Sequence, residues 1–227
     1  MQNRLIFILG SQSSGSSLLA NYFRLAGFAL SPKAAATTFW EDTRLNALNE
    51  LLLTRNGISW HQPVPGRLTV PTAKTDDLCR LYLAANPQTE ILKDPRFCLT
   101  WPCWKNIAPD IDFIITFRHP LATVLSMASR FNLSRRHALN LWLSYYTNVR
   151  GFLSPFIEFG SEISFDDYRD NLIRVCRFLE LPFDETALAR AFDSIKIHYA
   201  GSSSPASPLP DQHAALYKQL VTNAQAT

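Results

Sequence analysis

The stretch Leu5-Ile6-Phe7-Ile8-Leu9, running into Gly10-Ser11-Gln12-Ser13-Ser14-Gly15-Ser16-Ser17, governs the fold assignment. Its first five residues form a continuous apolar run ended by glycine, the pattern of a central parallel strand covered on both faces. The next eight are small or polar. They lead into Leu18, Leu19, Tyr22, Phe23 and Ala26, which share one helical face that Gly27 closes. Strand, small-residue loop and helix in this order bring backbone N–H groups and the positive end of a helix dipole to the strand's carboxyl end, a seat for phosphate or sulfate oxygens. A tight strand-to-helix turn with serine caps is the plainer reading, although a cap needs fewer small residues than stand here.

Working outward, Phe113-Ile114-Ile115-Thr116-Phe117 is a second buried-strand run, Glu90-Ile91-Leu92-Lys93 a shorter third, and Glu162-Ile163-Ser164-Phe165 a possible fourth. Between them lie amphipathic helices. Leu45, Leu48, Leu51 and Leu52 mark one, Leu139, Trp142, Leu143 and Tyr146 another within 134–152, and Leu172, Val175, Cys176 and Leu179 a third within 167–181, with Asp166 and Asp167 as a strand-to-helix cap. Alternating buried strands and amphipathic helices predict an α/β fold, a three-layer P-loop-type arrangement with a central parallel sheet flanked by helices. Residues 1–227 read as one domain, with 62–75 and 201–211 as surface loops.

Composition narrows the function classes. Apolar residues make up 47% of 227 and charged residues 18%, enough for a sizeable core. The net charge of +3 is too mild for a dedicated nucleic-acid binder but suits a small anionic ligand. No apolar run approaches a membrane span or a secretory core, so a cytoplasmic protein without an integral membrane segment is expected. Cys79, Cys98, Cys103 and Cys176 lack the spacing of a zinc site or disulfide framework, and buried thiols with no metal are expected.

The glycines at 10 and 15 match the nucleotide-triphosphatase loop G-x-x-x-x-G-K-[ST], but Ser16 stands where its lysine belongs. A kinase or triphosphatase would need that charge from elsewhere. A second anion seat follows the strand 113–117, where Arg118-His119-Pro120 opens a helix that carries Ser126 two turns in. Arg118 could equally be a surface ion-pair partner.

Two anion seats on one sheet, one without the triphosphatase lysine, resemble the sulfotransferases that use 3'-phosphoadenosine 5'-phosphosulfate (PAPS), in particular short bacterial and carbohydrate-sulfotransferase-like members. The family's 5'-phosphosulfate loop, G-x-x-[RK]-S-G-[TS]-[TS]-L-[LW], is similar to Gly10, Ser14, Gly15, Ser16, Ser17, Leu18 and Leu19, with Ser13 in the basic position. Arg118 and Ser126 match its 3'-phosphate pair, and Lys93-Asp94-Pro95-Arg96-Phe97 resembles the K-x-P segment. The resemblance covers residues 4–182. It implies a PAPS-dependent transfer of a sulfuryl group to a hydroxyl of a carbohydrate or other small metabolite, with the donor held by Gly10, Ser11, Gln12, Ser13, Ser14, Gly15, Ser16, Ser17, Arg118 and Ser126 and no obligatory metal. The alternatives are a small-molecule P-loop kinase and a non-catalytic nucleotide-binding module.

The resemblance also implies roles. In-line sulfuryl transfer needs a cation for the departing nucleotide, for which Lys93 is the candidate, and Lys93, Arg96 or Arg24 could replace the charge missing at Ser13. A base must take the acceptor's proton. Glu41 is the first candidate, beside Phe39 and Trp40, where desolvation would raise its pKa, and His61, beside Trp60, is the second. Asp94 and Arg96 either pair with each other or grip the acceptor. Trp101, Trp104, Trp142, Tyr145 and Tyr146 either stack on an adenine or sugar ring or belong to the core.

Overall fold

The computed structural model describes residues 4–37, 39–160, 164–194 and 208–226. In chain order the elements are β1 (Ile6–Leu9), α1 (Ser16–Leu25), α2 (Pro32–Ala35), α3 (Thr43–Arg55), α4 (Ala73–Ala84), β2 (Ile91–Lys93), α5 (Phe97–Ile107), β3 (Asp112–Phe117), α6 (Pro120–Phe131), α7 (Arg135–Thr147), β4 (Phe156–Glu158), α8 (Phe165–Phe178), α9 (Glu185–Asp193) and α10 (Asp211–Ala226). The four strands form a wholly parallel sheet in the order β2-β1-β3-β4. This is the expected α/β architecture.

Successive side chains of a strand point to opposite faces, so each apolar run supplies two cores. Phe7, Leu9, Leu92, Phe113, Ile115 and Phe117 pack on one face against Leu45 and Leu52 of α3, Trp104 of α5, Met127 of α6, Trp142 of α7 and Leu220 of α10. Ile6, Ile8, Ile91, Ile114 and Ile157 pack on the other against Leu19 and Phe23 of α1, Leu172 of α8 and Leu188 of α9. The four cysteines are buried and unbridged.

The fourth strand differs from expectation. Ser164 is the N-cap of α8, accepting the Asp167 N–H at 3.1 Å, and Phe165 is helical, while Glu162 and Ile163 lie outside the described residues. The fourth strand is instead Phe156–Glu158, beside β3. Asp166 and Asp167 sit in the first turn behind that serine, where the helix dipole favours them. The loop expected over 62–75 ends early, because Thr72 and Thr75 form a reciprocal capping box that starts α4. The loop expected over 201–211 falls largely on 201–207, outside the described residues, and Asp211 already opens α10. The helix expected to reach residue 152 stops at Thr147.

The order β2-β1-β3-β4 places a topological switch between β1 and β3: the chain leaves β1 toward β2 and leaves β3 toward β4. Ligands of such sheets bind in the crevice beyond the carboxyl ends at that point. Residues 10–17 and 118–120 are its two lips.

Gly15 ties the first lip to the far edge of the sheet. Its φ is 90°, and a Cβ there would overlap the ring of Phe159, just past β4. Gly15→Ala is expected to destabilise the protein by at least about 1–2 kcal/mol from the left-handed backbone alone, with the ring overlap adding to it. Urea unfolding of the two proteins measures the difference, and equal stabilities would refute the account.

Candidate active site

The loop 10–17 is held from beneath by two tyrosines of α7. Tyr146 donates to the Thr116 carbonyl at 2.8 Å and accepts the Ser11 N–H at 3.1 Å, while Gln12 Nε2 donates to Tyr145 at 3.4 Å. Ser14 and Thr116 share a hydroxyl hydrogen bond of 2.8 Å. A Cβ on Gly10 would strike Thr116 and Ser14, so the loop lies directly against β3. Gly15, the N-cap of α1, offers no side chain to the first turn, and that turn holds no acidic residue. The positive end of α1 therefore opens onto the crevice without a built-in anion.

On the second lip, Arg118 is 6% exposed and its guanidinium stands 5.7 Å from the centroid of the Phe159 ring. Burial pulls its pKa below the ordinary arginine value. Trp142 Nε1 fixes the backbone here by donating to the Arg118 carbonyl at 3.1 Å. Ser126, buried on α6, donates to Ser13 Oγ at 2.9 Å. The two lips are thus joined through Ser13, which holds a φ of 65°. His119 is the N-cap residue of α6, with its ring 4.8 Å from that of Tyr217 on α10.

Lys93, the last residue of β2, lies opposite Ile8 of β1. Its side chain is 4% exposed and donates to Glu41 Oε1 at 2.5 Å, to the Phe39 carbonyl at 3.0 Å and to Ser17 Oγ in the first turn of α1 at 3.3 Å. A lysine therefore does stand beside the loop that lacks one, delivered by the neighbouring strand. Asn46 Nδ2 holds the other Glu41 oxygen at 3.0 Å.

The expected rise of the Glu41 pKa does not occur. Burial acts to raise it, but the charge and hydrogen bond of Lys93, the Asn46 amide and Arg96 outweigh burial and hold the carboxyl below its usual value. Sequence placed Glu41 beside aromatic rings and gave no distance to Lys93, and that distance sets the sign.

Asp94, fully buried, accepts Asn49 Nδ2 at 2.8 Å, Arg96 N at 2.9 Å and Arg96 Nη1 at 3.1 Å. Desolvation pushes its carboxyl up, against the pull of Arg96. Arg96 also binds Glu50 Oε1 at 2.9 Å and lies 5.2 Å from the Trp60 ring. Asp94 and Arg96 thus pair with each other. Asn46, Asn49 and Glu50 form a polar stripe on α3 that the reading of that helix by its leucines passed over. Their spacing of three and four residues was the available signal.

The remaining candidates lie apart. Arg24, in the last turn of α1, binds Asn21 Oδ1 and stands 4.6 Å from the Trp40 ring, roughly 10 Å along the helix from Ser17. His61 lies against α7, where its carbonyl meets His137 Nε2 at 2.5 Å. Trp104, Trp142, Tyr145 and Tyr146 are fully buried, so they serve the core and offer no stacking face. Among the described residues, no three His, Cys, Asp or Glu side chains gather to hold a metal ion, and no helix is long and apolar enough to cross a membrane.

Comparison with solved structures places this architecture. The sulfotransferase domain of the Synechococcus PCC 7002 olefin synthase superposes with a TM-score of 0.51 at 18% identity, covering 100% of this chain and 95% of that one. The sulfotransferase STF1 of Mycobacterium tuberculosis matches with a TM-score of 0.47 at 12% identity, covering 98% of this chain and 77% of that one. No family model matches the chain, and no curated protein matches it by sequence. The chain has the fold of a sulfotransferase domain.

Two outcomes follow from the charge cluster. The folded-state pKa of Glu41 lies below the ordinary 4.5, so its contribution to stability is complete above that pH and is lost as pH falls through the folded-state value. Glu41→Gln should flatten the loss of stability below pH 4.5, as followed by urea titrations at stepped pH, and an unchanged acid limb would contradict the pairing. Asn49 also accepts from Thr100 Oγ1 and Trp104 Nε1, each at 2.9 Å. Asn49→Ala should therefore cost at least about 2 kcal/mol by leaving buried donors and Asp94 short of partners.

Proposed function

We propose that the protein is a PAPS-dependent sulfotransferase that moves a sulfuryl group to a hydroxyl of a carbohydrate or other small metabolite. The observation that carries this reading is the position of Lys93, whose ammonium is held between the first turn of α1 and Glu41. The fold shared with a sulfotransferase domain supports it, as do Lys93 beside the loop 10–17 and Arg118 on the second lip, on either side of one switch point.

The residues present fit the donor. The uncapped N-terminus of α1 and the amides of the loop 10–17 suit its 5' end, and the desolvated guanidinium of Arg118 with Ser126 suits its 3'-phosphate. Bound there, the donor supplies the sulfuryl group. Lys93 Nζ then meets negative charge growing at the 5' end, in a site where low dielectric strengthens the interaction. Drawn toward that charge, Lys93 loosens its hold on Glu41. Burial, now less opposed, raises the Glu41 pKa and makes its carboxylate a better base for the acceptor's proton. Donor binding and base strength are coupled through one ammonium. Glu41 is preferred to His61 as the base because it touches Lys93, whereas His61 faces α7.

The same lysine favours one rival, a small-molecule kinase in which Lys93 replaces the triphosphatase lysine missing at Ser16. Thermal melts separate the two readings. 3'-Phosphoadenosine 5'-phosphate should raise Tm in a concentration-dependent way and Mg-ATP should not; the reverse pattern would install the kinase. In transfer of labelled sulfate to a panel of glycans and small alcohols, Glu41→Gln should lower kcat by about a hundredfold or more while donor binding tightens, because Lys93 is released from its pairing. An unaltered kcat would remove Glu41 from the mechanism, and no transfer by the unsubstituted protein would favour the non-catalytic module.

A further inference from the structure

We propose that the acceptor carries an anionic group, a carboxylate, phosphate or sulfate, besides the hydroxyl that is modified, and that this group lodges in the cavity between the loop after α3 and the start of α7. The proposal rests on the sulfotransferase reading above and names the substrate class of the same site. The cavity measures about 350 Å³ and is lined by His61, Gln62, Ser134, Arg136, His137 and Asn140 among others. That volume falls in the lower part of the range for small-molecule sites. Its lining mixes these polar side chains with Pro63 and Leu141 and carries no carboxylate.

Charge is distributed to match. Between Asp112 and Glu158 the sequence contains five arginines and no acidic residue. Among the described residues, Arg130, Arg135 and Arg136 have no carboxylate within ion-pair distance. Arg135 and Arg136 occupy the first turn of α7, where the helix dipole disfavours cations, and no acidic residue accompanies them there. Helix stability gives no reason for two arginines at that position. An anionic ligand does, since a guanidinium binds carboxylate and phosphate in a planar, two-pronged geometry.

A series of side-chain contacts leads from the cavity wall toward the reacting groups, beginning at Trp60. Trp60, next to His61, faces Arg96 at 5.2 Å, and its carbonyl accepts from Tyr145, which in turn meets Gln12 of the anion loop. Phe131 packs edge-on to Trp60, and Arg130 covers both Phe131 and Phe39, whose carbonyl holds Lys93. A line of aromatic rings and guanidinium groups thus runs from the cavity to the Lys93–Glu41 pair. His61 belongs to the wall that recognises the acceptor, which accounts for its place away from Glu41.

Matched probes test this by calorimetry, with 3'-phosphoadenosine 5'-phosphate present: phenyl glucoside against phenyl glucuronide, and glucose against glucose 6-phosphate. At least one charged member should bind tenfold or more tightly than its neutral partner, and the preference should shrink with added salt. The two pairs distinguish carboxylate from phosphate. Arg136→Ala should abolish the preference while Tm and nucleotide affinity stay unchanged, and Arg136→Lys should keep part of it. Equal affinity for charged and neutral members, or a preference that survives Arg136→Ala combined with His137→Ala, would overturn the proposal. Failure of the nucleotide itself to bind would instead remove the sulfotransferase reading, while the charge preference, measured without nucleotide, would still report on the cavity.

Discussion

The ammonium of Lys93 is the interaction on which the rest of the site depends. A nearly buried cation survives only where oxygens replace its water, and three do so here: a carboxylate from the segment before α3, a backbone carbonyl at Phe39 and a hydroxyl on α1. Two come from the Phe39–Glu41 segment and the third from α1. Satisfying one charge therefore fastens β2, α1 and the Phe39–Glu41 segment together around the crevice. The needs of the ammonium are thus met within the chain itself, beside the first turn of α1.

The surrounding structure leaves that pairing undisturbed. Asp94 is buried below it and consumed by Arg96 and Asn49, so it does not compete for Lys93. The tyrosines of α7 fix the loop at Ser11 and at the Thr116 carbonyl beside it, and no acidic residue stands in the first turn of α1. Ser13 accepts from Ser126 and thereby joins the two lips. Ser13 thus supplies a mechanical link between the lips, while a lysine from the adjacent strand stands beside the same loop.

Much of this was legible in the sequence, and the rest was hidden for identifiable reasons. The runs 5–9 and 113–117 announce themselves because parallel strands covered on both faces must be apolar at every position. Phe156–Glu158 does not, since three residues after a proline carry no period. The loop 10–17 could be read because its backbone demands small residues, as Gly10 and Gly15 demonstrate by what a Cβ would strike. The sign of the Glu41 shift could not, because it turns on a contact with a residue in another element. Tyr145 and Tyr146 count as core by pattern, and only the folded chain reveals that their hydroxyls carry the loop.

The position of β1 has a bearing on biosynthesis. It lies in the middle of the sheet yet is made first, and both of its neighbours, β2 and β3, come much later in the chain. At ordinary elongation rates, on the order of five to twenty seconds separate the emergence of β1 from that of β3. Until β2 emerges, a wholly apolar segment stands with no partner for either edge, and its second edge waits longer still for β3. Nascent chains shorter than residue 117 should be the species that solicit chaperones.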